Sequence, residues 1–162
     1  MKTKIYITGI ILSIIYLIGL LINGIIFNVN CTGYLKRAAS ANTVEMAIND
    51  LEKAINYMEE HNLTNGYTSV LYKTPDEDIS FWYNNIKNAY EELKALPDDP
   101  VATSNALIKL RETLLDDTKD GVKVTRPEGI AKYPYNGILF VFTTIFVIWL
   151  IFGWAYLNAK YN

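Results

Sequence analysis

The feature that most constrains this chain is a pair of uncharged apolar segments, one near each end. The first covers residues 5–28 and the second residues 137–157. At a rise of 1.5 Å per residue, each is long enough to cross a hydrocarbon core of about 30 Å. The sequence therefore predicts two transmembrane helices, with residues 29–136 as an extramembrane domain and residues 1–4 and 158–162 as short tails.

A cleaved signal peptide is the competing interpretation of the first segment. A signal peptide has a shorter apolar core, of about 7 to 15 residues, which is followed by a small-residue cleavage site. Here the apolar run ends in Asn28-Val29-Asn30-Cys31, which offers no such site. We therefore interpret the segment as an uncleaved anchor.

The distribution of charge indicates the orientation of the two spans. All 17 acidic residues lie between positions 45 and 128, whereas the tails carry Lys2, Lys4 and Lys160 and no acid. The positive-inside rule places such tails in the cytoplasm. Basic residues that flank the spans on the domain side favour the reverse, but the rule loses force for a loop of about a hundred residues. We expect a two-span protein of the cytoplasmic membrane with cytoplasmic termini and an extracytoplasmic domain.

Polar and small residues within the spans suggest how the two helices pair. Asn23 lies in the first span near its domain end, and an antiparallel hairpin would place Thr143 and Thr144 at about the same depth. An amide in hydrocarbon seeks a hydrogen-bond partner, and such pairs contribute on the order of 1 kcal/mol. Alternatively, Asn23 lies among the headgroups. Gly9 and Gly19 offer thin places for close helix approach.

The domain between the spans is predicted to be a small bundle of about three helices, so the fold class is all-α. Apolar residues recur at intervals of three and four in each stretch, which is typical of amphipathic helices. The predicted inward-facing residues are Ala41, Val44, Ile48, Leu51, Ile55 and Met58 in the first helix, Ile79, Trp82, Ile86, Ala89, Leu93 and Leu96 in the second, and Leu107, Leu110, Leu114 and Leu115 in the third.

Local signals predict where these helices begin and end. Gly33 is the only obvious break before the first helix, so that helix continues the span outward with a kink. The second helix begins at Thr74-Pro75-Asp76-Glu77, with Thr74 as the cap, Pro75 at the first position and Glu77 completing a capping box. The third begins at Asp99-Pro100 and ends within residues 116–121. An extended segment then returns to the membrane.

Catalytic, metal and cofactor chemistry is not predicted. His61 is the only histidine and Cys31 the only cysteine, which excludes zinc or haem sites built on several such ligands. The acidic run that begins at Asp116 fails as a calcium loop, because its twelfth position is Pro127 instead of a bidentate glutamate. The acidic residues 76–78 are explained by the helix macrodipole. A pI of 5.4 argues against nucleic acid as a partner.

The most distinctive local feature of the domain is a concentration of aromatic residues. Trp82 lies on the apolar stripe and is predicted to be part of the core. The candidate interaction surface consists of four tyrosines: Tyr67, Tyr72, Tyr83 and Tyr90. Exposed aromatic residues are enriched at protein interfaces and ligand sites. The alternative is that these tyrosines fill the core of a thin bundle.

One long pattern carries a resemblance. The stretch YLKRAASANTVEMAINDLEKAINYMEEHNLTNGYTSVLYKTPDEDISFWYNNIK, followed by NALIKLRETLLDD, resembles a group of small uncharacterised bacterial proteins with a membrane anchor and no assigned function. The resemblance covers roughly residues 34–134. It implies a bacterial, membrane-anchored domain and brings no activity, cofactor or partner with it.

Two functions fit these observations. The first is a non-enzymatic interaction module, an accessory subunit that binds another membrane protein or a second copy of itself in the lipid bilayer. The second is an extracytoplasmic ligand-sensing domain, which would need a partner protein for signalling because few residues follow the second span. Assembly that perturbs the bilayer is a third hypothesis, although the uncharged spans argue against an ion pathway.

Overall fold

A computed structural model describes residues 2–97, 99–119 and 121–161, apart from the side chains of residues 2–7, 156, 157, 160 and 161. Met1 and Asn162, the outermost residues of the predicted tails, lie outside it. In chain order the elements are helix α1 (Lys2–Phe27), a π-helical turn (Asn28–Thr32), helices α2 (Gly33–Ala39), α3 (Val44–Glu60), α4 (Ile79–Lys94) and α5 (Pro100–Leu114), strands β1 (Leu115–Thr118) and β2 (Gly121–Val124), and helix α6 (Asn136–Tyr161).

The two apolar segments form helices long and apolar enough to cross a membrane, over Thr8–Ala39 and Asn136–Ala155. Only 11% of the apolar window of the first and 6% of that of the second are buried within the protein. A core helix of a water-soluble domain would instead be covered by its neighbours. The prediction of a mostly helical fold with two membrane-length helices is therefore confirmed. Insertion of these helices into a bilayer is a proposal.

Gly33 continues the first helix outward, as predicted, and a π-helical turn directly precedes it. The N–H of Gly33 donates to the carbonyl oxygen of Asn28, five residues earlier, which is the bond of a π-helical turn. A Cβ atom at position 33 would lie 2.9 Å from that oxygen, so glycine permits the close approach. The helix that begins in the span thus extends through α2 to Ala39.

The chain reverses at residues 40–43, which the sequence pattern had assigned to the first domain helix. Thr43 caps α3, because its hydroxyl accepts a hydrogen bond from the N–H of Met46 at 3.3 Å. Ala41 therefore lies in the turn. The rest of the predicted stripe is correct, with Leu51 and Met58 fully buried and Val44 and Ile48 packed at the edge of the core.

The second domain helix begins one turn later than predicted. Residues Pro75–Glu77 form a short 3₁₀ turn, and Asp78 is the cap of α4. The Asp78 carboxylate accepts from the N–H groups of Ser80 and Phe81, whereas Thr74 donates its hydroxyl to the Glu77 side chain. The predicted apolar stripe holds, since Ile79, Trp82, Ile86 and Leu93 are buried and Ala89 and Leu96 border the core.

Helix α5 ends at Leu114, and a β-hairpin follows it directly. The all-α assignment therefore needs correction. Strands β1 and β2 pair antiparallel, with Leu115 opposite Val124 and Thr118 opposite Gly121. The alternating residues of Val122-Lys123-Val124 had been assigned to an extended connection. The domain also holds helices α2 to α5, rather than about three, because the turn after Ala39 divides one predicted helix into two.

The reversal after α2 sends α3 back towards the membrane end of the domain. The rings of Phe27 at the end of α1 and Tyr57 in α3 meet edge to face, with centroids 6.1 Å apart. Helix α2 also packs against α5, and α3 against α4. The core consequently begins at Phe27 and includes Cys31, whose side chain is fully buried.

The burial of Cys31 predicts that its thiol does not react with a maleimide in the folded protein, since an alkylating reagent needs access to sulfur. The full-length protein in mild detergent should be labelled only after denaturation. Ser40, which is exposed in the turn, provides the control. A Ser40→Cys variant should take up one reagent molecule at once. Equal labelling rates for Cys31 and the new thiol would contradict the packing of α3 on the π-helical turn.

Candidate functional site

A cleft of about 480 Å³ opens where the start of α4 faces the hairpin and the return segment, defined as residues 125–135. Its floor is apolar and consists of Trp82, Ile86 and Leu114, all of which are buried. Phe81 stands at the rim with 65% of its surface exposed. We call this feature the Phe81 cleft.

Several polar groups of the Phe81 cleft already have structural partners, whereas the buried hydroxyl of Thr125 has none among the described residues. The backbone N–H of Phe81 and that of Ser80 donate to Asp78, at 3.2 and 2.8 Å, and these bonds hold the pKa of the Asp78 carboxyl below its usual range. The indole N–H of Trp82 donates to the carbonyl oxygen of Thr125 at 2.8 Å. These groups therefore shape the cleft instead of offering free binding capacity.

Arg126 connects the cleft to the end of the first span. Its guanidinium donates from Nη1 to Asn28 Oδ1 at 3.0 Å and to Thr32 Oγ1 at 2.8 Å. The same group lies over the ring of Phe27, 5.4 Å from the centroid. Arg126 is itself exposed, and the other exposed charged groups that line the cleft are the carboxylates of Asp76 and Asp116.

The arrangement suits recognition better than chemistry. An apolar floor with an exposed ring and two carboxylates at the rim can accept an apolar side chain next to a cationic one. Among residues 2–97, 99–119 and 121–161, no group of three or more His, Cys, Asp or Glu side chains is placed to hold a metal ion. His61 hydrogen-bonds through Nδ1 to the backbone oxygen of Tyr57 and stacks on its ring.

The four tyrosines of the predicted interaction surface do not share one exposed face. Tyr72 is 72% exposed, whereas Tyr83 is only 8% exposed in the interface between α3 and α4. Tyr67 and Tyr90 are half-buried, each with a lysine over its ring, at 5.0 and 4.9 Å. Of three consecutive aromatic residues in α4, Phe81 is the one that faces outward, which the periodic pattern did not indicate.

Tyr83 instead belongs to a polar cluster that joins α3 to α4. Its hydroxyl donates to Glu59 Oε1 at 2.5 Å, and Lys87 Nζ lies 2.8 Å from the same carboxylate oxygen and 2.9 Å from the phenol oxygen. The bonds from Lys87 and then Tyr83 lower the pKa of Glu59. The bond to Glu59 likewise raises the pKa of Lys87, so the pair stays ionised over a wide pH range.

The predicted contact of Asn23 with Thr143 and Thr144 is replaced by a different one. The hydroxyl of Tyr16 lies 3.2 Å from Thr143 Oγ1 and donates to the carbonyl oxygen of Leu139 at 3.3 Å. Thr144 donates to the backbone of its own helix, at Phe140. Helix α6 begins at Asn136, and this start determines which residue of α1 lies opposite Thr143.

Asn23 faces a second, smaller cleft of about 200 Å³ at the membrane end of the domain. The cleft lies between α1, the end of α3 and the return segment, with Tyr57, His61 and Lys132 among its lining residues. No hydrogen bond of Asn23 is present within the described part of the chain. Tyr135 lines the same cleft.

A further contact between the spans involves Gly9, one of the two small residues noted in the sequence. A Cβ atom there would lie 2.6 Å from a ring carbon of Trp149, so the indole occupies the space that glycine leaves. Nothing lies within 4 Å of a Cβ atom built on Gly19. The spacing of small residues identified both candidates, but only the tertiary structure distinguishes them.

Replacing Gly9 should separate the spans, because a larger side chain cannot share this space with Trp149. We expect Gly9→Leu to slow disulfide formation in a Tyr16→Cys/Thr143→Cys pair severalfold. Gly19→Leu, which adds the same bulk where space is open, is the matched control and should leave the rate unchanged. Equal rates in both backgrounds would mean that Gly9 and Trp149 are not in contact.

The Glu59 cluster predicts a pH-dependent stability. A carboxyl whose pKa is lowered by folding stabilises the native state above its ordinary pKa and loses that contribution as the pH falls through the lowered value. We therefore expect Glu59→Gln to lower the midpoint of thermal unfolding at pH 7 and to flatten its decline in acid. Glu60→Gln, an exposed neighbour, is the control. Parallel pH profiles for Glu59→Gln and the unsubstituted protein would contradict this assignment.

The chain stands apart from proteins of known family and structure. No protein-family model matches it, no curated protein matches it in sequence, and no solved structure matches it in fold. The resemblance to small bacterial membrane-anchored proteins therefore stays a prediction.

Proposed function

We propose that this protein is a non-enzymatic, membrane-anchored interaction module, which serves as an accessory subunit of a membrane complex. Helices α1 and α6 anchor it in the cytoplasmic membrane, with cytoplasmic termini and an extracytoplasmic domain. Its partners are the lipid bilayer and either another membrane protein or a second copy of the chain, and nucleic acid is not among them.

Anchoring is supported by the exposed apolar surface of the two spans. The side chains of Phe142 and Phe152 in α6 are 59% and 71% exposed. The stretch of the helix between them contains no charged residue. A contiguous apolar surface of this kind is costly in water and favourable in lipid. The few contacts between the spans, at Gly9 and Tyr16, leave most of this surface open to lipid or to a partner helix.

The observation that carries the interaction role is the exposed position of Phe81. Aromatic residues, Phe included, are enriched at protein interfaces relative to the rest of the surface. The carboxylates of Asp76 and Asp116 beside it favour a partner that presents Lys or Arg next to an apolar side chain. The ring itself contributes little to the fold, since most of its surface already faces solvent.

The test replaces Phe81 with a photoreactive phenylalanine analogue in the full-length protein in native membranes, followed by mass spectrometry. We expect one discrete crosslinked protein. Phe81→Ala should weaken the binding free energy for that protein by about 2 kcal/mol, or roughly 30-fold in affinity, and so reduce its co-purification. The matched control is the same analogue at Val101, an apolar residue of α5 that is 67% exposed. It should yield no discrete product.

Two results would count against an interaction role at this site. Co-purification is compared only for a Phe81→Ala protein that keeps the helicity of the unsubstituted protein. The absence of any crosslinked protein at Phe81, or identical products at Phe81 and Val101, would contradict docking at the cleft.

The volume of the Phe81 cleft favours one alternative function, ligand sensing. A cleft of about 480 Å³ falls within the range of about 300–1,000 Å³ that small-molecule sites occupy. A sensing domain would show a ligand-dependent rise in its unfolding temperature, whereas a docking module would respond only to its protein partner. A panel of metabolites tested on the full-length protein in detergent separates the two.

A further inference from the structure

The loop between α3 and α4 presents an apolar tip that the domain does not cover. Val70, Leu71 and Tyr72 are consecutive, and they are 44%, 74% and 72% exposed. Three adjacent exposed apolar residues are unusual in a loop, where polar residues prevail. Neither the core nor the Phe81 cleft uses these side chains.

The base of this loop is attached to the first turn of the second span. The Asn136 side-chain amide donates to the carbonyl oxygen of Thr68 at 2.6 Å, and it also lies 3.3 Å from that of Gly129. Two residues span at most about 7 Å and three about 10 Å. Val70 and Leu71 therefore lie within about 10 Å of Thr68, near the point where α6 begins its apolar run.

The apolar tip itself carries no acid, and the charged residue that follows it is Lys73. Lys132 lies in the return segment near Asn136. Acidic residues lie at the base of the loop, where the N–H of Thr68 donates to the carbonyl oxygen of Glu77, and next to Gly129, at Glu128. Lysines close to a bilayer are attracted to anionic headgroups, whereas carboxylates are repelled.

The apolar tip and the return segment also contain exposed tyrosines. Tyr135, the residue before α6, is 60% exposed, and Tyr72 is the last residue of the apolar tip. Tyrosine is enriched where a bilayer meets water, because its ring prefers the apolar side and its hydroxyl remains hydrated. The tip thus combines the two residue types, apolar and aromatic, that interfacial segments place in lipid.

We propose that the Val70–Tyr72 loop inserts into the interfacial layer of the bilayer and forms a third membrane contact beside the two spans. The inference rests on the proposed membrane anchoring. It adds that the domain has a fixed orientation on the lipid surface. The bilayer is the occupant favoured here, since the base of the loop is hydrogen-bonded to Asn136 at the apolar start of α6 and Lys73 follows the apolar tip.

The test uses the full-length protein in vesicles of phosphatidylcholine and phosphatidylglycerol. An environment-sensitive dye is attached to Leu71→Cys, and in separate samples to Phe142→Cys within α6 and to Val101→Cys. Val101 is at the start of α5, about 20 Å along that helix from Leu114. The unsubstituted protein reports any labelling of Cys31.

We expect the dye at position 71 to show blue-shifted emission and to lose emission when lipids carry a nitroxide near the headgroup. The dye at position 142 should likewise sense lipid, and the dye at position 101 should show neither effect. Tyr72→Cys, labelled in the same way, is a second position that should behave like Leu71→Cys.

The possible outcomes separate the two proposals. Emission typical of water at positions 71 and 72, together with lipid contact at 142, would overturn the loop insertion and leave the anchoring intact. Emission typical of water at all positions would overturn both. Blue-shifted emission at 71 without quenching by the nitroxide lipid would mean that protein covers the loop, which also overturns its insertion into the bilayer.

Discussion

Arg126 joins the two ends of the chain at the base of the domain, and the positions of both long helices depend on this contact. Its guanidinium binds Asn28 and Thr32 in the π-helical turn and covers the ring of Phe27. The preceding residue, Thr125, accepts the indole N–H of Trp82 and donates its own N–H to Leu114. Two consecutive residues thus tie the return segment to α1, α4 and α5.

This attachment determines the depth at which the second span starts, and the surfaces near the membrane follow from it. Because α6 begins at Asn136, Thr143 meets Tyr16 and not Asn23, which lines the smaller cleft together with Tyr135. The same start holds the loop after α3 against the first turn of α6. The Phe81 cleft and the Val70–Tyr72 loop share no residue, so the proposed protein contact and the proposed lipid contact use different side chains.

Elements with a strong period were predictable from the sequence, and those determined by single residues were not. The stripes of α3 and α4 were correct because burying an apolar face dominates the energetics of a helix. The turn after Ala39 was missed since residues 40–43 carry no Pro or Gly. The hairpin was missed because strands of four residues show too little alternation to be separated from a loop. The sequence left Tyr83 between a surface and the core, because periodicity does not register a phenol that is satisfied by Glu59 and Lys87 in an interface.

The sequence by itself determined the layout: two uncharged helices of membrane length, an acidic helical domain between them, and too few histidines and cysteines for a multi-ligand metal site. These properties depend on composition and on spacing along one helix, which the chain carries without reference to its partners in space. The tertiary structure decided which aromatic residue faces outward, which glycine touches the opposite span, and where the second span starts. These depend on contacts between residues far apart in sequence, such as Arg126 with Asn28, and no local pattern encodes the meeting of such distant residues.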